Sequence, residues 1–226
     1  IVKDFHRAGW EVFNLARTPF SAVCPWAEGI VKHIEVDLSD AGSIDRACET
    51  LRDRLGDRGL GALVNNAGIS PKTEAGGRLS AQETTLDVFS RVQMVKLMAP
   101  LMLCQNLLEP LRKNGGAIVN VTSIAGTQVH PFAGAASAVS NAGLSALTRE
   151  LAFELAESGV RVNAISPGEI ATSILSPGTD RLVEQEVPMK RLGSPDEVAE
   201  VVLFLCSQKS SYVNGAEIPI NGGQHL

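Results

Sequence analysis

The sequence predicts a doubly wound α/β fold in a single domain, and three observations carry that prediction. Short apolar runs suited to strands alternate with longer segments of helical periodicity along the 226 residues. Such alternation builds a parallel sheet covered by helices on both faces. The polar or Gly-containing segments 65–68, 122–126 and 166–172 each follow a predicted strand, and in open parallel sheets ligands bind at the carboxyl ends of the strands. The third observation is composition: 44% hydrophobic and 20% charged residues, with enough chain to bury one substantial core.

Residues 1–8 read as the end of an amphipathic helix, stopped by Gly9, since Gly readily takes the left-handed conformation past a helix end. Residues 11–15 read as a strand, 18–29 as a loop with two prolines, and 31–37 as a second strand. Ser39 or Asp40 can cap the helix that runs to residue 55. A buried strand at 62–65 leads into Asn65-Asn66-Ala67-Gly68, followed by a Gly/Pro-rich loop at 69–80. A long helix is expected over 84–112, a strand at 117–121, a second long helix over 135–157 and a strand at 160–165. A loop at 173–190 precedes the helix at 195–207, where Ser194 is the N-cap and Pro195 the first residue. Residues 216–220 form the last strand. No internal repeat or interdomain linker interrupts the chain.

Net charge is −5 without a basic run, which argues against nucleic acid or an anionic membrane as partner. The four cysteines and four histidines show no metal-ligand spacing, so no metal site is expected. Nor do the cysteines form a disulfide framework, which makes a reducing, cytoplasmic location the expectation. The most apolar run, 95–108, contains Lys96, Pro100, Gln105 and Asn106 and is too short to span a bilayer.

Five phrases occur in a telling order: Asn65-Asn66-Ala67-Gly68; Val95 to Pro100; Thr122-Ser123; Pro167-Gly168-Glu169-Ile170-Ala171-Thr172; and Val213-Asn214-Gly215-Ala216-Glu217-Ile218 with Asn221-Gly222-Gly223. Together they resemble the short-chain dehydrogenase/reductase family over nearly the whole chain. The resemblance implies a Rossmann-like sheet in the order 3-2-1-4-5-6-7 and oxidoreductase activity with a nicotinamide dinucleotide. It also implies a homodimer or homotetramer formed through the helices at 84–112 and 135–157.

The family's chemistry explains which residue types matter. Carbonyl reduction by hydride needs a proton donor at the developing alkoxide. A Tyr hydroxyl supplies it in the family. The free phenol has a pKa of about 10, which a neighbouring Lys ammonium lowers. A Ser orients the carbonyl, and an Asn helps hold a water that relays protons to the Lys. In this chain Ser123 is retained, but Ser137 stands at the Tyr position, Asn141 at the Lys position and Lys96 at the Asn position. The only Tyr is Tyr212, far from these residues in sequence. Reading Ala136 and Ser140 as the pair also supplies neither group, and Ser140-Asn141-Ala142-Gly143-Leu144 fits the family phrase better. Lys96 and Asn141 look exchanged. The preferred reading is drift, with Lys96 snorkelling to solvent; the alternative is a restored cation near Ser123.

On the cofactor side, the family's Gly-rich loop after strand 1 has no counterpart. The segment Gly56-Asp57-Arg58-Gly59-Leu60-Gly61 precedes a strand and is a connector. Ile1 aligns inside the helix after that loop, so the sequence begins about 20 residues into the family's βα unit; the preferred reading is that the natural protein has the preceding strand and loop, and the alternative is a truncation with a rearranged sheet. By resemblance Asp37 and Leu38 line the adenine side, Asn65, Ala67 and Gly68 the ribose side, and Pro167, Gly168, Ile170 and Thr172 the nicotinamide loop. Arg17, at the end of the strand at 11–15 where no acid follows, suits a 2′-phosphate, so NADP(H) is expected over NAD(H) if either is bound. His130 and Glu169 are read as a surface residue and a loop residue, with substrate contact as the alternative.

Three readings of function follow. The leading one is a family homologue impaired or inactive as a carbonyl reductase or alcohol dehydrogenase, because the Tyr and Lys are replaced; it would serve as a non-catalytic binding or assembly subunit. The second is an active NAD(P)-dependent oxidoreductase with a displaced acid. The third is an engineered or inactivated form.

Overall fold

The computed structural model describes residues 1–22, 24–172 and 175–226. Helix α1 (Val2–Arg7) ends at Gly9, whose φ of +85° makes the expected stop. Strands β1 (Phe13–Ala16) and β2 (Lys32–Glu35) follow, joined through two 3₁₀ turns. Helix α2 (Ala41–Leu55) is capped by Asp40, whose carboxylate accepts from the Gly42 amide at 3.0 Å. Strand β3 (Ala62–Asn65) and strand β4 (Ala117–Val121) have the predicted bounds.

Between them the expected single helix is interrupted. Helix α3 (Leu86–Gln93), capped by Thr85, runs into a π-helical turn (Met94–Met98) and then helix α4 (Ala99–Asn114). Pro100 lacks the N–H that would bond to the Lys96 carbonyl in a continuous α-helix, and a π-turn is one way to absorb that loss. Pro110, inside α4, frees the Asn106 carbonyl in the same way. That carbonyl is taken up by the Arg52 guanidinium at 2.8 Å.

Helix α5 (Ala135–Leu155) and strand β5 (Arg161–Pro167) come next. The expected loop at 173–190 is corrected in part: residues Thr179–Glu186 form helix α6, which buries Leu182 and Val183, while Ser173 and Ile174 lie outside the described residues. A helix of eight residues, about two turns, is too short to announce itself by periodicity. Helix α7 (Pro195–Cys206) starts with a full capping box between Ser194 and Glu197, and β6 (Glu217–Ile220) closes the chain's pattern.

The described strands pair in parallel, β1 with β2, and separately in the order β3-β4-β5-β6. Between β1 and β3 lies a cleft of about 400 Å³, lined by Trp10, Phe13, Leu15, Leu63, Leu103 and Leu107. In the family's strand order this is where strand 1 runs. Successive residues of a strand face opposite sides, and β4 shows the consequence. Ile118 packs with α2, α4 and α5, Val119 with α1 and α7, and both are fully buried. The C-terminal signature serves this architecture. The Asn214 amide accepts from the Val162 N–H at 2.9 Å and donates to the Ala152 carbonyl at 2.8 Å, tying β5 to α5.

Candidate active site

A cavity of about 920 Å³ opens at the carboxyl ends of β3, β4 and β5. That is ample for a small ligand. Its walls come from residues 66–68 after β3, Lys96 on the π-turn, residues 121–124 at the end of β4, Ser137 on α5 and residues 167–170 after β5. The fold therefore brings Ser123, Ser137 and Lys96 to one cavity.

The Ser123 oxygen accepts from the Ala125 amide at 3.2 Å and caps the turn Ile124–Gly126. Its hydroxyl proton remains available to a ligand oxygen. Ser137 is buried, with its own carbonyl accepting from the Ser140 hydroxyl and the Asn141 amide, each at 2.9 Å. Asn141 is not part of the cavity wall. It is fully buried beneath the turn after Ser123, where a Cβ on Gly126 would come within 2.9 Å of the Asn141 Cβ. Its Oδ1 has no hydrogen-bond partner among the described residues.

Lys96 crosses the β3 turn, its Cε 3.4 Å from where a Gly68 side chain would begin. Among the described residues its ammonium makes no hydrogen bond or ion pair, and burial alone lowers its pKa to about 8. The expectation that Lys96 snorkels to bulk solvent is corrected: the π-turn directs it to the cavity. The folded pKa, about 8, lies below the ordinary value of 10.5. Between those values the unfolded chain binds more protons than the folded one, so stability rises with pH across that window. Below it the burial penalty is complete. Lys96→Met should therefore stabilise the protein most at about pH 7 and least at about pH 10. Urea unfolding at both pH values measures this, and an equal gain at both would count against it.

His130 and Glu169 are also corrected. Both are buried, and His130 Nε2 meets Glu169 Oε1 at 2.6 Å on the cavity wall. The pairing spans 39 residues of sequence, so no local pattern announces it. Lys72, unremarked in the sequence, joins them. Its ammonium donates to the Phe132 carbonyl and to the Ser176 hydroxyl. Burial lowers its pKa, partly offset by the Glu169 charge.

The cofactor-side residues divide between the two openings. Ala67, Gly68, Pro167, Gly168, Ile170 and Thr172 line the large cavity, while Leu38, Asn65 and Ala67 line the cleft beside β1. Asp37 accepts from the Ser39 hydroxyl at 2.7 Å and the Ser39 amide at 2.8 Å. These bonds hold its carboxyl below the usual range, with a smaller contribution from the Arg17 charge. Arg17 is exposed just past β1.

A parallel doubly wound sheet with a cavity at the carboxyl ends of its strands defines the class of dinucleotide-type α/β proteins. The chain matches the family model described as enoyl-(acyl carrier protein) reductase over residues 1–225. It is 52% identical over 225 residues to Protein FixR of Bradyrhizobium diazoefficiens, covering 99% of this chain and 81% of that one. It is 37% identical over 204 residues to the 3-oxoacyl-(acyl-carrier-protein) reductase FabG of Aquifex aeolicus, covering 86% and 77%. A crystal structure of a Brucella ovis short-chain dehydrogenase/reductase family oxidoreductase, in complex with a partially ordered NAD, superposes with a TM-score of 0.83 at 47% identity, covering 97% of this chain and 92% of that one. The chain belongs to the short-chain dehydrogenase/reductase family of oxidoreductases.

Proposed function

We propose that this protein binds a nicotinamide dinucleotide and is impaired in the family's Tyr-based proton transfer. The observation that carries the impairment is the pair Ser137 and Asn141. Ser137 offers an aliphatic hydroxyl, far less acidic than a phenol, and Asn141 is buried off the cavity with its amide bonded to the Ser137 carbonyl. Neither group can hand a proton to a carbonyl oxygen as a Lys-assisted Tyr does.

The residues present fit a dinucleotide. The turns after β3 and β5 open on one cavity, and Arg17 projects past β1. Ala67 and Gly68 would face the ribose, Ile170 and Thr172 the nicotinamide carboxamide, Asp37 and Leu38 the adenine. A dinucleotide held there would supply or accept hydride, and Ser123 would orient the reacting oxygen. The NAD seen in the Brucella ovis relative supports a dinucleotide, and Arg17 with no acid beside it supports NADP(H). Calorimetry tests both parts. NADPH should bind more tightly than NADH, and Arg17→Ala should weaken NADPH about tenfold, or about 1.4 kcal/mol, with little effect on NADH. A folded protein that binds neither dinucleotide would end this proposal.

Lys96 favours a second reading, an active oxidoreductase with a displaced acid. An ammonium with a pKa of about 8 is a stronger acid than a free phenol at about 10, and it faces the cavity that Ser123 lines. Carbonyl turnover abolished by Lys96→Met would select this reading.

Cytoplasmic placement fits the four free cysteines, of which Cys48, Cys104 and Cys206 are buried. Burial pushes these thiols up to about 11, 11 and 12, so they stay protonated and unreactive. Among the described residues no helix is long and apolar enough to cross a membrane. Self-association through α3–α4 and α5 fits the exposed Leu86, Met98, Val139 and Phe153 on those elements. Light scattering should give a dimer or tetramer, and a Phe153→Glu variant should shift it towards monomer.

A further inference from the structure

The cluster of Lys72, His130 and Glu169 is not used by the chemistry above, yet it forms a built wall of the same cavity. His130 Nδ1 accepts the Phe132 backbone N–H at 3.2 Å. A nitrogen that accepts carries no proton, so the imidazole is the neutral tautomer with its proton on Nε2. That proton points at Glu169 Oε1, 2.6 Å away. A second proton on the ring would face the Phe132 N–H head-on. The Phe132 N–H and the Glu169 contact together fix the orientation of the His130 ring and the position of the Glu169 side chain. Its other oxygen has no hydrogen bond among the described residues.

Lys72 is tied to the same residue from the other side. It donates to the Phe132 carbonyl and to Ser176 Oγ, which leaves one of an ammonium's three protons for a ligand. Lys72 and Glu169 feel each other's charge without an ion pair. The wall therefore presents a fixed donor cation and a fixed acceptor anion, each with unused capacity. An alkyl chain laid along it would strip water from both charges and return no hydrogen bond.

We infer that this wall recognises a small polar substrate that carries an anionic group for Lys72 beside a hydrogen-bond donor for Glu169, as in a hydroxy acid or an amino acid. The inference rests on the proposal that this cavity is the substrate site of a dinucleotide-dependent protein. It adds the substrate class and names Lys72 and Glu169 as specificity residues, with His130 as a positioning residue.

Calorimetry on the full chain tests it, with gluconate, serine, glycerol and hexanoate as probes, each with and without saturating NADPH. Gluconate or serine should bind at least about tenfold more tightly than glycerol, which lacks the anion, or hexanoate, which lacks the donor. The gluconate arm tests hydroxyl donors alone, and the serine arm tests a hydroxyl together with an ammonium. Glu169→Gln and Lys72→Met should each weaken the preferred acid about tenfold while leaving NADPH affinity unchanged; Lys72→Arg, which keeps the cation, should retain binding. Hexanoate binding as well as the polar acids, an acid affinity insensitive to Glu169→Gln in folded protein, or no binding of either acid would each overturn the inference. Failure of NADPH to bind would sink the cofactor proposal, and acid binding without NADPH would still uphold the wall.

Discussion

The triple variant Ser137→Tyr, Asn141→Lys, Lys96→Asn should reduce carbonyl compounds with NADPH about 10²–10⁴-fold faster than the natural chain, the range general acid catalysis supplies. Ser137 already lines the cavity, so a Tyr there carries its hydroxyl towards the space that Ser123 borders. The Lys is needed to lower the phenol's pKa. Lys96 must change at the same time. It stands on the π-turn of the helix that packs against α5, and its ammonium already titrates low through burial. A second ammonium from position 141 would add like-charge repulsion in a half-buried site. Asn141→Lys alone should therefore destabilise the fold and restore little. Dinucleotide oxidation across a panel of ketones and aldehydes measures the gain. A folded triple variant that binds NADPH yet turns over no faster than the natural chain would show that Ser137 and Asn141 are not what limits this site.

Asn120→Ala should cost about 2–6 kcal/mol of stability, from two buried polar groups at about 1–3 kcal/mol each. Asn120 is fully buried on β4 and joins three elements. Its Oδ1 accepts from Asn65 Nδ2 at 2.8 Å, and its Nδ2 donates to Thr148 Oγ1 at 2.9 Å. Asn65 Oδ1 already has no partner, so the substitution leaves that side chain without any side-chain bond among the described residues. Asn65 begins the turn that leads to Gly68 and the cavity, so dinucleotide affinity should fall with stability. Urea unfolding reads the first effect and calorimetry the second. A loss below about 0.5 kcal/mol, the range of neutral surface changes, would mean that the network relaxes without it.

Much of this protein is local and therefore legible. The Asp40 and Ser194 caps, the Gly9 stop and the bounds of β3 and β4 follow from residue chemistry within a few positions. The π-turn was signalled by Pro100 but hidden by the strong helical pattern around it. Helix α6 is too short for its pattern to stand out from a loop. Lys72 gave no signal, since a lysine in a polar loop looks the same whether it is solvated or bonded to Phe132 and Ser176.

The doubly wound class and the family could be read from residue identity and spacing along the chain, because both are carried by local patterns and short phrases. Packing was needed to show that Lys96 meets the cavity while Asn141 does not, and that His130 and Glu169 form one buried pair. The physical reason is distance along the chain. Those features are contacts between groups far apart in sequence, and their burial and charge exist only once the sheet and helices have packed.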